Sequence, residues 1–274
     1  MALTTPPAAS PVSRRRSPGA VRVVSWHLAT YRRFWRLNLL SSLVQPMLYL
    51  LGLGVGVGSL VDRNAGSSEV LGASSYVAFV APGLLVTTAM ALAAGESMWP
   101  VMGGLKWSRG YHGMAATPLG AGDIVLGHAV WMALRCGIAT GAVASVLAVF
   151  PETRSWGLIP AVLVAMLVGV SFAMPIMAFS VNAEMDGSFA AIQRFVVIPL
   201  FLFGGAFYPL SQLPVPVQWL AKAWPLWHGV TVARSFTTGT VQWLGVFGHL
   251  GYVALWAAVG TAFAVRRMRG KLYL

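Results

Sequence analysis

Apolar residues run unbroken by charge over Leu37–Val61, Val70–Gly95, Trp156–Ala183 and Ser235–Val265. Each run meets the roughly 20 residues an α-helix needs to cross the hydrocarbon of a bilayer. Two further runs are interrupted: Ile124–Phe150 holds His128 and Arg135, and Phe195–Leu210 is short and broken by Gly204, Gly205 and Pro209. The pattern predicts an all-α integral membrane protein of six transmembrane helices. Ahead of the first run, Val21, Val24, Leu28, Tyr31 and Trp35 recur at steps of three and four, with Arg22, Arg32, Arg33 and Arg36 on the opposite face. That spacing predicts an amphipathic interfacial helix over 20–36, or in the competing reading a plain extension of the first span.

Composition sharpens this picture. Hydrophobic residues make up 57% of the chain and charged residues 9%, against roughly a quarter charged in soluble domains, so a soluble fold is excluded. Fourteen of the nineteen Lys and Arg fall on one side of the expected topology: Arg14, Arg15, Arg16, Arg22, Arg32, Arg33, Arg36, Lys106, Arg109, Arg194, Arg266, Arg267, Arg269 and Lys271. Basic loops stay cytoplasmic, which sets both termini inside and requires an even number of spans. The charge flanks apolar spans, so the basicity reads as topology, with membrane lipids as neighbours and no nucleic acid. Residues 1–19 are expected to be a disordered cytoplasmic tail, because no apolar region or small-residue cleavage site follows its arginines. Cys136 is the only cysteine, which rules out an internal disulfide, and no His/Asp/Glu grouping has metal-ligand spacing.

Two interruptions carry the functional signal. Gly204–Pro209 breaks a helix at membrane depth, where bare N–H and C=O groups cost several kcal/mol each. The chain there must be covered by protein or line a wet cavity. The Trp- and Pro-rich stretch that follows predicts helices that enter the outer leaflet and return, a re-entrant gate over 204–240; the competing reading is an ordinary outer loop. Between the second and third spans, residues 99–120 mix glycine, aromatics and positive charge over a length too great for a simple turn. They predict a short helix at Met102–Met114 along the inner face. In the first span, Gly52/Gly56 and Gly54/Gly58 have the spacing that lets helix backbones approach closely.

The stretch FLFGGAFYPLSQLPVPVQWLAKAWPLWHGVTVAR (Phe201–Arg234) resembles the signature of the ABC-2 type permeases, membrane subunits of a class of ATP-driven exporters. TPLGAGDIVLGHAVWMALR (Thr117–Arg135) is similar to the lipo-oligosaccharide (nodulation-factor) and drug-exporter subgroup. The resemblance covers about Val21 to Lys271. It implies an elbow helix, a six-span domain over 37–271, a coupling segment at 99–120 that meets the ATPase through Lys106, Trp107, Arg109 and Tyr111, and an outer gate with Gly204, Gly205, Tyr208, Pro209 and His228. It also implies two copies of an ABC ATPase, which bind the ATP and Mg, and a second copy of this or a related permease. Many relatives carry an acidic residue within the coupling segment, whereas Trp107–Met114 has none.

The residues fit that division of labour. The chain has no G-K-[ST] phosphate loop and no relay of buried carboxylates for a proton-driven carrier. Of the intramembrane polar residues, Arg135 either pairs with Glu96 or holds an anionic head group. His228 is either a hydrogen-bonded structural residue or a ligand to substrate. The expectation is a non-enzymatic transport subunit, exporting a glycolipid, lipo-oligosaccharide or hydrophobic drug from a bacterial inner membrane. A gradient-driven carrier working through Glu96, or a membrane scaffold without transport, are the competing classes.

Overall fold

The computed structural model describes residues 18–63, 67–185 and 187–273, which form helices joined by turns and irregular stretches, with no strand among them. Most of the expected tail, and Asp186 in the loop before the fifth predicted span, lie outside the described residues. Helix α1 (Gly19–Tyr49) continues through wider turns at Leu50–Val57 to Val61. It is followed by α2 (Tyr76–Lys106), α3 (Gly110–Ala115), α4 (Ala121–Leu147), α5 (Leu158–Ser180), α6 (Gly187–Phe203), α7 (Val215–Lys222), α8 (Pro225–Thr238) and α9 (Trp243–Leu272). Five of these paths, those of α1, α2, α4, α5 and α9, are long and apolar enough to cross a membrane, and α6 is a shorter apolar helix.

Local chemistry sets the helix limits. The Ser75 hydroxyl accepts from the Ala78 N–H and starts α2, as N-cap serines do. The Asp123 carboxylate accepts from the Gly120 N–H and starts α4. Arg269 and Lys271 end α9, where positive charge complements the helix dipole. The core lies where α2, α5 and α4 meet, around Leu85, Met90, Met132, Val168 and Met174, all fully buried. Gly127 on α4 lets α1 in: a Cβ there would stand 2.5 Å from the Val23 side chain.

Two expectations shift. The basic amphipathic helix and the first span form one helical path, with a lapse only at Phe34 (φ −126°, ψ 18°). Its packed seam is Val23, His27 and Tyr31, while Val21, Leu28 and Trp35 of the apolar face stay exposed. The cause is the Gly127 notch, a close approach that apolar periodicity does not register. Second, the inner-face helix is shorter than the 102–114 stretch predicted. Val101, Met102 and Leu105 extend the buried face of α2, and Arg109, at φ 50°, then turns the chain so that only Gly110–Ala115 forms the separate helix.

The four glycines at 52–58 divide into two pairs. Gly54 and Gly58 meet Val77 and Tyr76 of α2, whereas a Cβ at Gly52 or Gly56 would meet nothing.

Candidate functional site

The helix break falls where the pattern places it. α6 ends at Phe203, Gly205 takes φ +80°, and the chain runs irregularly to Pro209. A side chain at Gly204 would strike Leu226 of α8, and one at Gly83 would strike the backbone of Ala206 at 2.8 Å, so α2, α8 and the broken stretch lie in direct contact. The broken carbonyls are not left bare. The Arg234 guanidinium on α8 donates to the Gly205 carbonyl at 2.9 Å, to Ala206 at 3.4 Å and to Phe79 at 3.3 Å. It also lies 3.7 Å from the centre of the Phe79 ring. The Tyr76 hydroxyl donates to the Phe207 carbonyl at 3.0 Å. A fork of several N–H donors on one side chain is what an array of adjacent carbonyls requires.

Tyr208 and Pro209 continue the stretch half-buried. His228 faces elsewhere. Its Nε2 donates to the Lys222 carbonyl at 2.9 Å, which leaves Nδ1 to accept from His249 Nδ1 at 2.7 Å. Tyr252 stacks on the ring at 4.2 Å and donates to the Ala223 carbonyl. His228 thus braces the α7–α8 turn against α9, while the neighbouring Trp227 is the side chain that lies against Gly205.

Beneath the break, a cavity of about 430 Å³ opens between α1, α2 and α6, with Ser41, Gln45, Thr88, Trp99 and Gln193 among its walls. Tyr49 and Phe201 line its upper end, and Phe207 packs against both rings, with ring centres 5.1 to 6.1 Å apart. Phe207 belongs to the broken stretch, so the break packs directly on two residues of the cavity wall.

At the opposite end, the Lys106 ammonium donates to the Glu184 carbonyl, tying α2 to the chain after α5. Trp107 is 72% exposed. Tyr111 is buried against Gly104, and burial pushes its hydroxyl above the usual tyrosine range, so it stays protonated. Gly110 lies beside Trp26 of α1, and the Tyr273 hydroxyl donates to Leu119 between α3 and α4. Within the helices, Arg135 Nε stands 3.7 Å from Glu96 Oε1, and its terminal nitrogens stand 3.4 Å from Ser42 Oγ.

The ABC-2 type transporter profile matches residues 22–237. The chain belongs to the ABC-2 type transporter family. Nodulation protein J of Rhizobium leguminosarum bv. trifolii is 31% identical over 86% of this chain and 87% of its own length. Nodulation protein J of Rhizobium leguminosarum bv. viciae is 30% identical over 91% and 95%. The inner membrane transport permease YadH of Escherichia coli is 26% identical over 73% and 72%. No solved structure matches. As an ABC-2 protein the chain is a multi-pass membrane subunit of an ABC transporter, a family that pairs with an ABC ATPase subunit. The Arg that ends the ABC-2 signature, Arg234, is the residue that holds the broken carbonyls. Tyr76, Phe79 and Gly83 carry no sequence signal beyond lying in an apolar run.

Proposed function

We propose that this ABC-2 subunit is the permease of an exporter in a bacterial inner membrane. It works as a dimer, with itself or a related permease, on two ATPase subunits that bind the ATP and Mg. Both termini are cytoplasmic, α6 serves as the fifth of six spans, the start of α1 is the elbow helix, and α7–α8 re-enter the outer leaflet. The cargo is amphipathic, a glycolipid or lipo-oligosaccharide or a hydrophobic drug, and its route is the cavity between α1, α2 and α6. The observation that carries this reading is the aromatic contact at the end of that cavity, where Phe207 of the broken stretch packs on Tyr49 and Phe201 of the cavity wall.

α2 links the two ends. Its 31 residues extend about 45 Å at 1.5 Å per residue, from Tyr76 and Gly83 at the break to Lys106 and Trp107. Closure of the ATPases would push on Lys106, Trp107, Arg109 and Tyr111, and α2 would pass the displacement to the broken stretch, giving alternating access. Co-expression with its neighbouring genes, followed by purification in mild detergent, tests this. A stoichiometric complex that hydrolyses ATP, and that is lost on combined Lys106→Glu and Arg109→Glu, supports the reading. Recovery of the chain alone, without hydrolysis, overturns it.

A further inference from the structure

A second, separate cavity of about 240 Å³ lies where the first half of α1 crosses α2 and α4, walled by His27, Tyr31, Glu96, His128, Trp131 and Arg135. His128 is 2% exposed. Neither of its ring nitrogens has a hydrogen-bond partner among the described residues, and His27 Nε2 has none either. The two imidazoles stand 5.3 Å apart, and His27 stacks on Trp131 at 5.5 Å and 6°. Buried polar atoms are almost always paired, and three unpaired nitrogens on one wall mark a place where bonds are to be supplied from outside the chain.

We propose that this pocket binds the neutral, hydroxylated head group of a membrane amphiphile. With no carboxylate bonded to it, His128 is neutral and carries one N–H and one bare nitrogen. Its complement must therefore accept at one point and donate at another. A hydroxyl does both and rotates its proton to suit, whereas a phosphate or carboxylate only accepts. Nor does the pocket offer a free positive charge, because Arg135 faces Glu96. Tyr31 and Trp131 supply flat apolar walls for the carbon faces of such a head. Phe34 lines the mouth of the pocket, and Leu37 and Leu40 beyond it are exposed, so an acyl tail leaving the pocket has an apolar helix face to lie along. The site is a cavity of its own beside the proposed export route, and Tyr111 of α3 is among its walls.

The test uses the full chain in phosphatidylcholine nanodiscs with a photoreactive alkyl glucoside and a photoreactive alkyl phosphate of the same chain length. Labelled peptides are mapped by mass spectrometry. The glucoside is expected to label saturably at residues 26–38 and 128–135, and unlabelled octyl glucoside to compete. His128→Leu is expected to weaken labelling about tenfold, equivalent to one lost hydrogen bond in a closed pocket. His128→Asn, which keeps a donor and an acceptor, is expected to retain most of it. His27→Leu serves as the second variant if His128→Leu does not fold, with the same direction of effect. Equal labelling by the phosphate makes the pocket an anion site and overturns the proposal. So does labelling indifferent to the substitutions, or no saturable labelling by either probe, which leaves the pocket to water.

Discussion

The two ends of α2 are built on opposite plans. At the break, the carbonyls of Gly205, Ala206 and Phe207 all meet a donor from Arg234 or Tyr76, and glycine at 83 brings the backbones to van der Waals contact. At the other end, the short helix α3 is seated by the buried Tyr111, while Trp107 and Arg109 project from the surface. Irregular backbone in a nonaqueous setting must be satisfied internally, which explains the first plan. The second leaves its most distinctive side chains unengaged, as a surface that meets a partner would.

That contrast can be broken by substitution, and the effects should fall off from the first end to the second. The largest loss is expected for Arg234→Met, which strips donors from the carbonyls of Phe79, Gly205 and Ala206. At about 1–3 kcal/mol per unsatisfied buried group, roughly 3 kcal/mol or more of stability should go, seen as a large fall in the thermal unfolding temperature of the detergent-solubilised chain. Arg234→Lys should recover only part of it, since a single ammonium cannot span the array. Next comes Gly83→Leu. It overpacks α2 against Ala206 and should cost about 1–3 kcal/mol, with faster proteolysis near residues 204–209 as a second readout. Tyr76→Phe removes one hydroxyl from the Phe207 carbonyl and should cost about 1–2 kcal/mol in the same unfolding assay. Trp107→Ala, at an exposed position, should shift stability by no more than about 0.5 kcal/mol yet lower ATPase recovery in a pull-down. A Trp107→Ala chain that unfolds early but keeps its ATPase would reverse the assignment of the two ends.

How much of this was legible in the sequence varied with the kind of interaction. The break at Gly204 was legible because glycine and proline act locally on the backbone, and the helix does stop at Phe203. The uninterrupted runs were legible because length and apolarity alone set them. The Arg234 clasp was not, because its carbonyls lie 28 and 29 residues away in sequence and only the return of α8 brings them within reach. The inner seam of α1 was hidden for a related reason: it depends on Gly127 admitting Val23, a matter of shape that hydrophobic periodicity does not encode. The end of α2 was misplaced because Arg109 adopts a left-handed conformation that its residue type does not announce. The pairing of Arg135 with Glu96 was one of two readings open in the sequence, and the 3.7 Å separation puts the two side by side.

The central claim is that ATP acting at the Lys106 end moves the stretch at Gly204–Pro209. Its most direct test is the rate at which a thiol reagent labels Tyr208→Cys in a Cys136→Ser background, in the complex with the partner ATPase, with and without ATP. The account predicts labelling several-fold faster with ATP, and loss of that difference when Lys106→Glu and Arg109→Glu are combined. The same rate with and without ATP, in a complex that hydrolyses ATP, would contradict it.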